Sequence, residues 1–572
     1  MTRARRLASA AAPWTLPACA VVTVLLGTWG WLDLGYRFDH ALYRAVALFS
    51  VNNEIYRGPP GSTDLRFLIG RWTGLMAVFG AALFALAALL RQQAVVALAQ
   101  LVRRRVAIVG AGEVAAKAFE AARRSGRTSI WLGASSFDAD RLSAFAVPWP
   151  PEDAERAVRN YVGDAEQILV VQDDPASSLV LAKVARAAAP RARITVLLND
   201  AALAEDAAAM INEPHTRVVS AATVSARALH VSHPPFLRAR QAGHARIHAL
   251  IVGFGQEGQA IARDLMVNGR TTYLGLPRIT VIDPAARALE GAIRVRAPEL
   301  DHCAEVVFIE GRIGTQGVEP GADALVAAIA AGGPLTAAYV CRSLDADNLG
   351  AAGVLQSLLR LSDLGEPQIF TRLRDTHTLT QTRNGGHGLD AMIPFGDIAA
   401  VVTASEFLSQ APDAAARAFS EAYRATLSAE RREDPANRSA RPWDALDETF
   451  RQATRDAVAH IPAKLASAGV DPALWLGVAG PPGLPPDVSL FRTDAEREAL
   501  AALEHERWNA QRRLDGWRFA DLPAKDERRR LHPALVPYDQ LSDEAKGYDR
   551  ALVAETEAVC RAAWSGRAPQ IG

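Results

Sequence analysis

The sequence predicts an α/β protein in which two tandem doubly wound domains follow two transmembrane helices and precede a mainly α-helical module. Three observations predict this plan. An apolar strand, a glycine turn and an alanine-rich helix occur in succession twice, as Arg105-Val-Ala-Ile-Val-Gly110-Ala-Gly112-Glu-Val-Ala115 and as Ala249-Leu-Ile-Val-Gly253-Phe-Gly255-Gln-Glu-Gly258. Two uncharged runs, Trp14–Leu32 and Trp72–Leu90, stand ahead of the first copy. Beyond residue 411 the composition turns to charged, helical sequence broken by prolines at 435, 442, 462, 472, 481 and 482.

Each uncharged run has about the twenty residues needed to cross a bilayer core. Arg3, Arg5 and Arg6 precede the first, and Arg91 and Arg103–Arg105 follow the second. By the positive-inside rule residues 1–104 form a multi-pass region of the inner membrane, with both chain termini cytoplasmic and Asp33–Arg71 outside. Bulky Trp29 and Trp31 stand where a signal peptide would carry small residues for cleavage, so the first run reads as a true span. Within the outer segment, Ala41–Ser50 has apolar residues at 42, 45, 46 and 49, a helical period. Asn52, Asn53 and Glu54 follow, then a Gly-Pro-Pro-Gly break at 58–61. Span, short helix, polar turn, span is the plan of a two-span channel with a pore loop, in which these three residues would form a ring favouring cations. The potassium filter Thr-Val-Gly-Tyr-Gly is missing. A helix lying on the outer leaflet fits the same residues.

The two glycine turns carry the same chemistry. Glycines let the backbone approach a phosphate, and the helix that follows offers free N–H groups and the positive end of its dipole. After the first turn come the strand Gln167–Gln172, Asp173-Asp174, the helix Ser177–Ala188 and the strand Arg193–Leu198, which ends at Asn199-Asp200. After the second come the strand Thr336–Cys341, Asp345-Ala-Asp347-Asn348, a helix near Leu349–Leu361 and the strand Gln368–Leu373. Strands alternating with helices call for parallel sheets covered on both faces, hence two Rossmann-like domains over 105–235 and 246–410. In the second copy Gly253, Gly255 and Gly258 are backed by Asp283 at the end of a strand, placed to take both ribose hydroxyls. In the first, Gly110 and Gly112 lack that acid, since Thr128–Leu132 runs into Gly133, and Ala115 replaces the third glycine. The first copy therefore reads as the more structural one.

Over Arg105 to Gln410 the chain resembles the TrkA-N/RCK family, the Rossmann-like regulatory domains of potassium channels and transporters. The resemblance rests on Gly253-x-Gly255-x-x-Gly258, on Asp283 closing Ile279-Thr-Val-Ile-Asp283, and on Asp345-x-x-Asn348-Leu349. It implies NAD(H) or an adenine nucleotide at the second copy. No His/Lys/Tyr constellation for hydride transfer has readable spacing, so the chain is not expected to be an enzyme. His230, His233, His244 and His248 fall in a Pro/Arg-rich connector, which reads as a surface linker rather than a metal site. Four scattered cysteines without Cys-x-x-Cys exclude a disulfide framework and a cysteine zinc site. A formal net charge of zero removes the electrostatic footprint of a nucleic-acid binder.

The densest motif lies last: Glu504-His505-Glu-Arg-Trp508, Gly516-Trp517, His532-Pro533-x-Leu535-x-Pro537-Tyr538, then Lys546 and Arg550. Glu504 and His505 each lie about one helical turn ahead of Trp508, so all three can face one pocket. Trp517 and Tyr538 offer flat walls, and Lys546 or Arg550 a charge for an anion. The whole is similar to the RyR domain, the module repeated in ryanodine receptors, here over 491–572. Pro442-Trp-Asp-Ala-Leu446 and Arg455 through Val458 echo Pro537-Tyr-Asp-Gln-Leu541 and Arg550 through Val553, so 411–490 reads as a degenerate partner half. The resemblance implies a nucleotide-type ligand, held by Glu504, His505, Trp508, Trp517, Pro533, Tyr538, Lys546 and Arg550. The same aromatics would also serve as the core of a small domain.

Together these readings predict a nucleotide-gated, cation-conducting membrane channel, by resemblance a homotetramer, with a role in bacterial signalling or defence. A membrane-anchored nucleotide sensor without conductance is the alternative, and a membrane-bound oxidoreductase a distant third.

Overall fold

The computed structural model describes residues 3–50, 64–101, 105–135, 146–147, 153–211, 213, 215–362, 364–374, 392–397, 407, 413–475, 483–485 and 487–564. The chain divides into two compact units, Met1–Leu101 and Val102–Gly572.

In the first unit two helices, Arg3–Asp33 and Leu65–Leu101, each contain a segment long and apolar enough to cross a membrane. Leu25, Trp29, Trp72, Phe79 and Phe84 are exposed along them, unlike the inward face of a soluble core helix. The second helix starts at Leu65 rather than Trp72, because Asp64 accepts from the Arg66 backbone N–H at 2.9 Å and anchors its first turn. Arg66 also pairs with Asp33 at the end of the first helix. Between them the helix Phe38–Val46, continued by a 3-10 turn at Ala47–Phe49, tucks against small residues. A Cβ on Gly27 would lie 2.8 Å from Leu48 Cδ1, and one on Gly74 2.9 Å from the Leu48 carbonyl oxygen. Thr23 and Thr73 join the two long helices through their hydroxyls at 2.8 Å. Asn52, Asn53 and Glu54 lie outside the described residues.

The second unit contains two six-stranded parallel sheets. The first comprises β1 (Arg105–Gly110), β2 (Ser129–Leu132), β3 (Ala146–Val147), β4 (Ala165–Val171), β5 (Arg193–Leu198) and β6 (Thr216–Ser220), in the order β3-β2-β1-β4-β5-β6. The second comprises β7 (His248–Val252), β8 (Arg278–Asp283), β9 (Glu305–Glu310), β12 (Ala337–Val340), β13 (Gln368–Arg372) and β14 (Met392–Phe395), in the order β14-β13-β12-β7-β8-β9. A hairpin of β10 (Arg312–Gly314) and β11 (Gly317–Glu319) stands beside it. Counted from its own first strand, each sheet runs 3-2-1-4-5-6, the order of a dinucleotide-binding fold. Its crevice opens where the order reverses, between β1 and β4 and between β7 and β12. Both β2 and β7 are buried along their whole length, as parallel strands covered on both faces must be.

The connector between the sheets is folded rather than a surface linker. It forms helices Ala221–Ser232 and Pro235–Gln241, and β7 begins at His248. His230 and His248 are buried. The former bonds Asp264 at 2.6 Å and the Tyr339 hydroxyl at 3.1 Å, the latter the Gly333 carbonyl at 2.9 Å and Thr280 Oγ1 at 3.0 Å. Among the described residues no group of His, Cys, Asp and Glu is placed to hold a metal.

The remainder is helical: Ala414–Thr426, Glu448–Ala459, Ile461–Ser467, Asp494–Leu514 and Asp543–Trp564. A capping box of Thr493 and Glu496 starts the fourth. The sequence echo is matched in the backbone. Pro442 (φ −55°, ψ 150°) and Pro537 (φ −55°, ψ 149°) each lead into a one-turn 3-10 helix that ends in an extended leucine before a long helix. Leu500, Leu503, Val553 and Cys560 share one core with Phe419, Ala457, Ile461 and Leu465. Ala463, Ala466 and Ala510, in turn, are buried in the core of the second sheet with Ile261, Leu265 and Cys303.

Candidate functional site

At the end of β7, Gly253 adopts φ +90°, a conformation that side chains other than glycine disfavour. Gly258 is required by a close approach: its Cβ would stand 2.4 Å from the Gly253 carbonyl oxygen. Gly255 meets nothing within 4 Å, so its face at the start of helix Gln256–Asn268 is open. Asp283, at the end of β8, accepts from the Phe254 N–H at 2.8 Å and from the Ala285 N–H at 2.8 Å. One carboxylate is thus held beside the turn, where a ribose would lie against a pyrophosphate on the helix N-terminus.

On the other side of the crevice Asn348 is fully buried. Its Oδ1 accepts from the Arg342 N–H at 2.7 Å, and its amide donates to the carbonyls of Arg342 and Arg372 at 3.0 Å each. The Asp-x-x-Asn pattern therefore staples the ends of β12 and β13. Arg372 pairs at 2.9 Å with Glu257 in the first turn of the turn's helix. Gln256 reaches the other sheet. Its amide donates to Asp200 Oδ2 at 3.1 Å, and its oxygen accepts from the Ala201 N–H at 3.1 Å.

The first glycine turn is built differently. The register pairs Val109 with Leu132 and Val252 with Ile282, so Gly133 stands where Asp283 stands in the second sheet. Gly110 (φ +144°) runs so close to β4 that its Cβ would lie 1.6 Å from the Val171 carbonyl oxygen. Trp131, fully buried, donates its indole N–H to the Gly110 carbonyl at 2.7 Å and packs on Phe119 with ring centroids 5.9 Å apart. Gly112 (φ +89°) caps the following helix with an open face.

In the C-terminal module the motif residues separate into three places. Glu504 is fully buried and faces inward, 2.8 Å from Lys464 Nζ and 2.9 Å from Arg507. Burial alone would raise its carboxyl, but the Arg507 and Lys464 charges hold it well below the usual carboxylate range. Tyr538 and Arg550 both hold Glu498, the tyrosine at 2.8 Å, and Lys546 lies 5.4 Å over the Tyr538 ring. His505, Trp508, Trp517 and Pro533 line a cleft of about 1760 Å³. Of these His505 is the most enclosed. It stacks on Trp508 with centroids 5.6 Å apart, its Nε2 meets the Val536 carbonyl at 2.9 Å, and its Nδ1 lies 3.3 Å from Asp549.

Two cleft residues extend the set read from the sequence. His532 stands edge-on to Trp508 at 5.0 Å and to Trp517 at 5.9 Å. Burial, then the nearby Arg512 and Lys525 charges, push its imidazole down to about 4, so it is neutral at pH 7. Arg512 lies 5.9 Å over Trp508 and 5.6 Å over Trp517. Its signal was the spacing of one further helical turn beyond Trp508. Gly516 (φ +82°) adds a second requirement for glycine, because its Cβ would come 2.7 Å from the Arg296 carbonyl oxygen in the second Rossmann-like sheet's layer.

No curated protein matches the chain. Among solved structures it is similar to GsuK bound to ADP, with 15% identity and a TM-score of 0.36 over 69% of this chain and 97% of that one. A structure of the GsuK channel matches at 15% identity and a TM-score of 0.38, over 68% and 96% of the two chains. The GsuK channel bound to NAD matches at 12% identity and 0.36, over 70% and 83%. Residues 488–563 match the RyR domain family. Behind its two apolar helices and two Rossmann-like sheets, the chain therefore carries an RyR domain near its C-terminal end.

Proposed function

We propose that the chain is the subunit of a ligand-gated cation channel of the inner membrane, regulated by nucleotides at the second Rossmann-like domain and at the RyR domain. The observation that carries the pore reading is the seat of helix Phe38–Val46 and its 3-10 turn. Leu48 packs against Gly27, six residues in from Asp33, or about 9 Å down the helix axis at about 1.5 Å per residue. Gly70 and Gly74 of the second long helix close on Leu48 from the other side, a wedge between the two spans that a helix lying flat on the leaflet would not form. Two spans cannot enclose a pore, so the reading requires a symmetric oligomer, a homotetramer by the resemblance.

Nucleotide regulation is supported by the open Gly255 face and by Asp283 beside the turn. NAD(H) or an adenine nucleotide is the ligand proposed there, and the first copy is proposed to carry movement rather than ligand. The Gln256–Asp200 hydrogen bond gives that movement a path between the sheets. A ligand shifts gating only by its difference in affinity for the two arrangements. No oxidoreductase step is proposed.

Planar-bilayer recording of the purified full chain with NAD, NADH, ADP and ATP tests this. Demonstrated binding without conductance under any of the four would refute the channel and leave a membrane-anchored sensor, the reading favoured by the missing potassium filter. Glu54→Lys separates the two as well, altering selectivity or blocking current only in a pore.

A further inference from the structure

The cleft of about 1760 Å³ is not confined to the RyR domain. Helices of both Rossmann-like sheets and of the 414–459 segment complete its walls, through Glu205, Arg263, Arg296 and Tyr423 among others. It exceeds the roughly 300–1,000 Å³ of ordinary small-molecule pockets. At the RyR end Trp508, Trp517 and His532 pack edge to face and together form one aromatic wall of the cleft.

The charges are disposed unevenly. Three carboxylates in the wall are engaged by cations: Asp515 by Arg263, Asp456 by Arg227, and Glu527 by Arg438 at 3.2 Å and Lys525 at 3.1 Å. Arg507 and Arg513, on the same helix as Arg512, hold Glu504 and Glu299. Among the described residues no carboxylate stands within ion-pair distance of Arg512; its guanidinium lies over the two tryptophan rings, and the charges of Asp515 and Glu527 act on it from further off. A partly buried guanidinium over aromatic walls, with no carboxylate at ion-pair distance, is matched by an anion tethered to an aromatic ring.

We propose that this cleft binds a purine nucleotide bearing two or more phosphates, and that a longer, doubly ended one spans from the RyR domain to the second Rossmann-like domain. Its base lies against the wall of Trp508, Trp517 and His532, its phosphates meet Arg512, and the far end of a longer ligand reaches Arg296 on the Rossmann-like wall. The assignment rests on the reading of the RyR domain as a nucleotide sensor. It adds that the site is composite, so the ligand fixes the RyR domain against the sheets.

Equilibrium binding of labelled AMP, ADP and diadenosine tetraphosphate to the purified full chain tests it, in an Asp283→Ala background that weakens the glycine-turn site. ADP is expected to bind there more tightly than AMP, and Arg512→Gln to weaken ADP by about tenfold or more. Because Asp515 and Glu527, the carboxylates nearest in effect to Arg512, keep their own partners, its loss orphans neither, and an unchanged melting temperature checks the fold. Arg296→Gln is expected to weaken diadenosine tetraphosphate and leave ADP unchanged. No binding in the Asp283→Ala background, or ADP affinity indifferent to both Arg512→Gln and Trp508→Ala, overturns the site. Diadenosine tetraphosphate indifferent to Arg296→Gln overturns its composite reach. Nucleotide-dependent current in the otherwise wild-type chain would still stand in those cases, whereas cleft binding without current would sink the channel and spare the cleft.

Discussion

Replacing Glu504 by Gln separates a keystone from a ligand group. The carboxylate lies 2.8 Å from Lys464, 2.9 Å from Arg507 and 3.8 Å from His460 Nδ1, and none of the four side chains is more than 2% exposed. Removing its charge leaves an ammonium and a guanidinium buried without an anion. Breaking a buried pair in this way costs about 3–5 kcal/mol. At about 2–4 °C per kcal/mol for a large domain, the melting temperature should fall by roughly 6 °C or more. Glu498→Gln is the control. It removes an ion pair to Arg550 whose two side chains are 33% and 37% exposed, and such surface pairs contribute only about 0–1 kcal/mol. Tryptophan-fluorescence melting of the full chain in detergent reads both variants. Equal melting of the two would refute the reasoning, and so would a Glu504→Gln protein that keeps its melting temperature and loses only nucleotide binding. The pH dependence has a fixed sign. With the folded carboxyl held below the ordinary 4.5, its stabilisation is present above about pH 4.5 and is lost as the pH falls through the folded value.

Four further perturbations bear on other parts of the chain. Asp283→Ala should weaken NAD or ADP at the glycine turn by about tenfold or more in equilibrium dialysis, and unchanged affinity would remove Asp283 from the site. Gly258→Ala should lower the melting temperature, since its Cβ must push against the Gly253 carbonyl, whereas Gly255→Ala should fold normally and lose only nucleotide binding; equal melting of the two would contradict the geometry. Gly27→Leu should unseat Leu48 and abolish current without preventing membrane insertion, and wild-type conductance would count against the buried short helix. Nuclear magnetic resonance of His532 should give a midpoint near 4. Its folded value lies below the ordinary 6.5, so its share of stability is complete above that pH and declines as the pH drops toward 4; a midpoint near 6.5 would place it in solvent.

The strands and the glycine turns were legible because their signals are local. β5 spans Arg193–Leu198, as the apolar run indicates, and Asp283 closes β8. The start of the second long helix was not, because it depends on Asp64 and Arg66 meeting Asp33 from the end of the first. The histidines of the connector failed for a similar reason. Asp264 and Tyr339, which bury His230, lie far along the chain, and nothing adjacent to the histidine announces them. In the RyR domain, spacing on one helix placed Glu504 and Trp508 together. It could not say that Lys464, from another helix, would draw Glu504 inward while Trp508 turned toward the cleft. The same helix spacing, continued by one turn, does lead to Arg512.

The shared burial of Ala463, Ala466 and Ala510 with Ile261 and Leu265 bears on how such a chain can be edited. A sensor hung on a linker can be cut away or exchanged, leaving its neighbour intact. Here the end of the chain supplies part of its neighbour's interior, so a truncation ahead of residue 461 would uncover the helix that begins at the glycine turn. Loss of response in such a truncated chain would report a damaged receiver, not a missing transmitter. Single side-chain replacements in the cleft are therefore the informative dissections, and a graft of this RyR domain onto another protein would have to bring its alanine-lined seat along.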